Sequence, residues 1–242
     1  MIIYGLNPVL EALRAGRVRR LRVGPRGDRR IEDAVALART KGVAVERVDA
    51  GTIDQVARGG VHQGILADVD APRDYSLAEL VERAAPAAPL LVVLDGIEDP
   101  HNVGAILRTV DAAGGHGVVR QARHAAPLDG IAAKASAGAV AHVHIATEVN
   151  IARAIEELKA LGVWTVGLAG DAPESYQAVD FTLPTALVLG AEGSGMRRLV
   201  RERCDRLVSI PMYGAVDSLN VSVAAGVVLF EAARQRHRNR EK

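Results

Sequence analysis

Apolar runs and helix-period stretches alternate from the first residues onward. Asn7-Pro8 predicts a helix start, because Asn can cap and Pro fits a first turn. Leu10 and Leu13 give that helix an apolar face, and Gly16 can end it. Residues 18–23 read as a short strand and 31–41 as a helix stopped by Gly42. Residues 43–45 and 65–67 read as further strands, so 1–70 form a small α/β domain. Residues 71–88 hold Pro72 and Pro86 and read as a linker with a short helix near 76–83. The continuous apolar run 90–94 opens a second domain, 89–242, as a strand covered on both faces. A helix over 103–113 ends at Gly114-Gly115. Strands follow at 118–119, 142–145, 163–168, 186–189 and 207–210, with helices at 151–161, 196–203 and 219–234. This alternation predicts an α/β fold with a mainly parallel sheet and helices on both sides. Residues 234–242 are charged enough to fray.

The 242 residues make one large or two small domains, and such a chain buries roughly 70–75% of its unfolded surface. The single cysteine, Cys204, excludes an internal disulfide and a cysteine-cluster metal site. No apolar run nears the ~18 residues of a membrane span. Met1-Ile2-Ile3-Tyr4-Gly5 lacks the basic lead of a secretory signal. A cytoplasmic protein with no membrane partner is therefore expected. Thirty basic and 29 acidic groups are unevenly spread. Residues 1–70 carry 12 and 9, residues 71–196 carry 8 and 15, and residues 197–242 carry 10 and 5. Eight arginines (14, 17, 19, 20, 22, 26, 29 and 30) crowd one stretch. Guanidinium forks suit phosphate. A solvated surface is an equal reading, since only four of the 30 cations are lysine.

Ligands of open α/β sheets bind at the carboxyl ends of strands, and three segments place polar residues or glycines there. The first runs from Asp95 to Arg108, with a helix starting near Asn102. Asn102 and Arg108, six residues apart, share a face only if Asn102 stands outside the helix as its cap. Taken alone, the pair could be a cap and a surface cation. The second, Gly190-Ala191-Glu192-Gly193-Ser194-Gly195-Met196, lets backbone amides approach a ligand. It matches neither a nucleoside-triphosphate P-loop nor a dinucleotide fingerprint, and could be a plain tight turn. The third runs from Ser209 to Ser222. Ser218 could simply cap, whereas Asn220 before a buried helix needs a partner for its amide. His142 and His144 alternate like strand residues, and Trp164 reads as core.

In order and wording, these segments resemble motifs 1, 2 and 3 of the TrmH-type branch of the SPOUT superfamily of RNA methyltransferases. The likeness runs nearly full length. Ile3-Tyr4-Gly5 with Asn7-Pro8, and Val61-His62-Gln63-Gly64-Ile65, are similar to the small RNA-binding domain of the RlmB-type ribosomal RNA 2′-O-ribose methyltransferases. Lys134-Ala135-Ser136-Ala137-Gly138-Ala139 matches a catalytic-domain segment. The resemblance implies a SPOUT catalytic domain with a deep C-terminal trefoil knot. It implies S-adenosyl-L-methionine as cofactor, large-subunit ribosomal RNA as partner, and a homodimer through the knot. By motif position the cofactor pocket maps to Gly190, Ile210 and Leu219, with Thr165, Val166 and Gly167. The functional polar set maps to Asn102, Arg108, Glu192, Ser218 and Asn220. RNA contacts map to Arg17, Arg19, Arg20, Arg22, His62, Gln63 and Arg123. After the strand at 118–119 the family usually has a Pro-containing turn and an Arg-Ser pair. Here Arg120-Gln121-Ala122-Arg123-His124 keeps the Arg and replaces the Ser by His124, and Asp129 stands where Asn or Thr is common.

The implied reaction is ribose 2′-O-methylation, for a guanosine of 23S RNA. It requires in-line alignment, worth up to ~7–11 kcal/mol. Asn102, Ser218 and Asn220 would orient the ribose and the donor's methionine end. Arg108 would grip the adjacent phosphate and stabilise the developing alkoxide. A guanidinium stays protonated, so its role is electrostatic and the general base is unassigned. Glu192 would hold Arg108 or order its own turn. No metal is called for. Rival readings are a transfer-RNA 2′-O-methyltransferase and a non-catalytic ribosomal-RNA-binding assembly factor. A nicotinamide oxidoreductase is more distant, because the glycines fall late in the chain.

Overall fold

The computed structural model describes residues 1–25 and 28–238. Arg26 of the arginine cluster and the last four residues of the charged tail lie outside them. The chain clusters into two units. One comprises residues 1–72, 103–108 and 127–142; the other comprises 73–102, 109–126 and the chain from 143 onward.

In the first unit, β1 (Ile2–Tyr4), α1 (Leu6–Arg14), β2 (Val18–Val23), α2 (Arg29–Thr40), β3 (Ala44–Arg47), α3 (Ala50–Ala57) and β4 (Ile65–Val69) follow in turn. The sheet order is β1-β4-β2-β3, and only β2 and β3 run parallel. Helix α1 starts ahead of Asn7: Gly5, at φ 91°, holds the cap position, and Gln63 Oε1 accepts from the Leu6 amide at 3.0 Å. Asp28 and Asp49 cap α2 and α3. Leu13, Leu21, Ile53, Ile65 and Leu66 are fully buried.

The second unit contains α4 (Leu77–Glu82) and β5 (Leu90–Asp95). Helix α5 (Pro100–Ala112) leads to β6 (Gly117–Gln121), and α6 (Gly130–Ala135) returns to the first unit. Next come β7 (Ile145–Glu148), α7 (Ile151–Ala160), β8 (Trp164–Leu168), β9 (Glu174–Ser175) and β10 (Thr185–Gly190). The chain closes with α8 (Arg198–Arg203), β11 (Arg206–Ser209) and α9 (Val221–Arg238). Seven strands lie in the order β7-β6-β5-β10-β8-β11-β9, every neighbouring pair parallel. Strand β5 is buried along its whole length, as its unbroken apolar run predicts.

The short helix expected near 76–83 is α4: Ser76 and Glu79 cap it reciprocally, and Leu77 and Leu80 are buried with Leu91, Val93, Val119 and Ile155. Three expectations change here. Strand β7 begins at Ile145, after a 3-10 turn over Ala139–Ala141. Trp164 is 52% exposed rather than core. Helix α9 continues past 234, because Arg236 is spent on backbone oxygens. Its guanidinium donates to Phe181 O at 2.7 Å and to Pro89 O and Leu183 O at 3.0 Å each.

Candidate active site

Strands β5, β10, β8 and β11 are consecutive in the sheet, so their carboxyl ends share one edge. The turn after β5 leads into α5, whose phase is set by Asp99. That side chain accepts from the His101 amide, and Pro100 occupies the first turn. Asn102 therefore lies inside α5 rather than capping it, and is 8% exposed. Past β10 the chain doubles back, with Ala191 N to Gly195 O at 3.1 Å and Gly195 N to Ala191 O at 2.8 Å. A Cβ on Gly190 would lie 2.1 Å from Met196 N and 2.2 Å from Gly195 C, so this turn requires glycine. After β11 the loop runs to Asn220, which takes the capping role expected of Ser218. Asn220 Oδ1 accepts from the Ser222 amide at 2.9 Å and from Ser222 Oγ at 2.5 Å.

That cap sets the polarity of a three-residue cluster. A backbone N–H only donates, so Asn220 turns its oxygen to Ser222 and its Nδ2 outward. Nδ2 then donates to Asn102 Oδ1 at 2.9 Å and to Glu192 Oε1. Asn102, its oxygen used, donates its own Nδ2 to Glu192 Oε1 at 3.3 Å. One carboxylate, from the second motif, thus fixes two amides, one from the first and one from the third. Arg108 is exposed on the same helix, six residues or about 240° of rotation beyond Asn102. Glu192 holds the two asparagines instead of Arg108. Ser218 is exposed and donates to Asp217 Oδ1 at 3.2 Å.

The proposed donor-contacting residues divide. Ile210 is half-buried and Leu219 is 37% exposed, on the loop after β11. Gly193, Gly195 and Gly214 have open space where a side chain would stand. Thr165, Val166 and Gly167 lie inside β8, which runs on to Leu168. Thr165 Oγ1 donates to Asp205 Oδ2 at 2.7 Å. A Cβ on Gly167 would meet Leu207, Met196 and Cys204. Those positions are packed and braced within the sheet, and Ala169 and Gly170 follow the carboxyl end of β8. Two residues not singled out from sequence, Asp95 and Arg197, tie the edge together. Asp95, 1% exposed, accepts from Arg197 N and Nε at 2.7 Å each. An acidic residue ending an apolar run was the available signal. Gln121 Oε1 accepts from Gly96 N at 3.1 Å. Burial pushes the Cys204 thiol up to about 12, which makes it unreactive.

In the first unit the arginines are partly neutralised. Arg22 is clamped on Asp68 at 2.6 Å to both oxygens. Arg17 donates to Val140 O at 3.0 Å and Asp70 O at 3.1 Å. Arg19 lies 3.2 Å from Asp70, and Arg20 only 3.8 Å from Glu46; both are well exposed. His62 bridges Asp54 at 2.8 Å and the Gly64 amide at 3.0 Å, while Gln63 holds α1. His62 and Gln63 therefore shape their turn. Arg123, in the second unit, is exposed.

The SpoU rRNA Methylase family matches residues 89–230. The chain belongs to that family. Residues 2–75 match the RNA 2′-O ribose methyltransferase substrate binding family, so this SpoU methylase joins a substrate-binding module to a methyltransferase domain. It is 45% identical over 241 residues to the 23S rRNA (guanosine-2′-O-)-methyltransferase RlmB of Yersinia pestis, covering 97% of both chains. It is 40% identical to the Putative TrmH family tRNA/rRNA methyltransferase YacO of Bacillus subtilis, over 97% of this chain and 96% of that one. Among solved structures, the SpoU methyltransferase AviRb from Streptomyces viridochromogenes, in complex with the cofactor AdoMet, superposes with a TM-score of 0.83. It is 27% identical and covers 98% of this chain and 91% of that one. This SpoU methylase is accordingly an RNA methyltransferase with the SpoU fold.

Proposed function

We propose that this chain transfers a methyl group to the ribose 2′-hydroxyl of a guanosine in 23S ribosomal RNA. The observation that carries this is the cluster joining motifs 1, 2 and 3, in which Glu192 orients the amides of Asn102 and Asn220. It stands beside relatives named for that reaction that align over nearly the whole chain. The cofactor is S-adenosyl-L-methionine, which when bound supplies an electrophilic methyl on a sulfonium. The residues fit it: an open glycine edge of backbone groups for its polar end, and the apolar Ile210 and Leu219 for its adenosine. Asn102, which keeps one amide hydrogen and one oxygen lone pair, orients the ribose, and Asn220, fully engaged, holds Asn102 and Glu192 in place. Arg108, exposed and positively charged, holds the neighbouring phosphate and stabilises charge developing on the attacking oxygen. Ser218, on the same loop as Leu219, hydrogen-bonds the donor's amino-acid end.

Arg19, Arg20 and Arg123 supply exposed charge for RNA capture. The C-terminal strands tie a trefoil knot, consistent with β10 lying between β5 and β8 although it follows both in sequence. A second copy covers Val223 and Phe230, which α9 leaves 52% and 54% exposed. The work is cytoplasmic. Among the described residues no helix is long and apolar enough to cross a membrane. The test is incubation with unmodified 23S RNA and tritiated donor, followed by nucleoside analysis. Label on the ribose of one guanosine is expected, with Arg108→Ala inactive yet still binding the donor by calorimetry. Label on a base, or normal turnover by Arg108→Ala, overturns the assignment.

A further inference from the structure

The methyltransferase edge contains one buried carboxylate that the reaction does not use. Asp95 ends β5 and is 1% exposed, in a position its apolar neighbours would suit better. Its two oxygens are both occupied by one residue from the loop after β10. Oδ2 accepts from the Arg197 amide at 2.7 Å, and Oδ1 accepts from Arg197 Nε at 2.7 Å and Nη2 at 2.5 Å. Arg197 stands at the start of α8, a helix with no side-chain cap of its own. Asp95 therefore supplies, from another strand, the acceptor that the helix end lacks. A buried charge held by both a backbone amide and a guanidinium is a rigid joint, because either partner left alone would be costly.

The loop so held is the turn from Gly190 to Met196. It is closed on itself by the Ala191–Gly195 pair, and its Glu192 fixes Asn102 and Asn220. Its far end, next to Met196, is the end that Asp95 grips. The geometry points to Asp95 as a positioning residue for methyl-donor binding, acting through Arg197 to hold the glycine turn in its donor-ready shape. This rests on the donor-site reading above. With the joint broken, Glu192 still anchors the turn at one end. The amides that face the donor lose their fixed aim, so donor affinity falls while the polar cluster and RNA capture persist.

The test uses the full chain with Asp95→Asn, Arg197→Gln and the double variant. The Arg197 side chain is 54% exposed, so Asp95→Asn leaves a guanidinium that water can serve and should fold even if Arg197→Gln, which strands the buried carboxylate, does not. Donor Kd by calorimetry and donor KM should rise about tenfold in Asp95→Asn and severalfold in Arg197→Gln. At saturating donor, kcat should stay within about threefold, and RNA affinity should not change. The double variant should be no worse than Asp95→Asn. Unchanged donor Kd and KM with a lowered Tm would make the pair merely structural and overturn the proposal. A fall in kcat alone, or additive effects in the double variant, would overturn it as well. Hydrogen exchange of the unmodified chain separates the two readings. Donor must protect amides 190–197, and if it does not, the donor-site reading fails irrespective of Asp95.

Discussion

Replacing Asn220 by Asp is a nearly isosteric change that tests the polarity of the three-motif cluster. The new carboxylate still accepts from the Ser222 amide and hydroxyl, so α9 keeps its start. What is lost is the Nδ2 donor to Asn102 Oδ1, at 2.9 Å, and to Glu192 Oε1. The neutral bond is worth about 1 kcal/mol and the bond to a carboxylate about 1.5–3 kcal/mol. A second negative charge about 3 Å from Glu192 adds roughly 1.4 kcal/mol of repulsion even at the dielectric of water. The cluster edge is exposed, so the lower part of this range applies. A penalty of about 4 kcal/mol corresponds to roughly three orders of magnitude in kcat/KM. The assay is single-turnover transfer of tritiated methyl to an RNA transcript, with donor binding measured separately. The deficit should shrink as pH is lowered toward the carboxylate range, since protonation removes the repulsion. Asn220→Ala, which removes the donor without adding charge, should lose less and show no such pH dependence. Asn220→Asp within fivefold of the unmodified chain, with unchanged Tm, would refute the argument that Glu192 orients the amides for catalysis.

Gly190→Ala places a methyl group against backbone that cannot move aside, 2.1 Å from Met196 N; donor binding by calorimetry should weaken at least tenfold, and unchanged affinity would mean that the turn yields freely. His144 gives a pH prediction. Burial, helped by the nearby Arg83 and Arg73, holds its imidazole below the usual value of 6.5, and it accepts from Arg83 Nε at 3.2 Å as a neutral ring. The unfolded chain takes up a proton that the folded chain resists, so stability is full above 6.5 and declines as pH falls below it. Urea unfolding at pH 7.5 and 5.5 should show a drop in the unmodified chain that His144→Gln reduces, and equal drops would exclude the histidine as the cause.

Much of the fold was legible because its signals are local. The apolar run of β5, the Gly42 stop of α2 and the glycines closing the turn after β10 act within a few residues of themselves, whereas the short α3 gave no such signal. The polar residues of the site were legible as residues out of place, such as an asparagine opening an apolar helix. Their arrangement was not, and the reasons are specific. Whether Asn102 capped α5 depended on which of several polar residues before it won the cap. Asp99 wins because Pro100 can follow it in the first turn, and that choice turns Arg108 away from Asn102. The arginine stretch looked uniform, yet Arg22 meets Asp68 through strand pairing 46 residues away.

Long-range contacts decide the chemistry. Asn102 and Glu192 are 90 residues apart, Asn102 and Asn220 are 118, and Asp95 and Arg197 are 102. No periodicity carries such distances. They follow from strand order, since β10 inserts beside β5 and brings the second motif to the first. A single insertion next to β5 thus accounts for both the Asn102–Glu192 contact and the Asp95–Arg197 joint. An α/β sheet with β10 placed elsewhere would keep every local element and lose both. The site is therefore a property of topology as much as of residue type. It is also why motif order along the chain was more informative than any one motif.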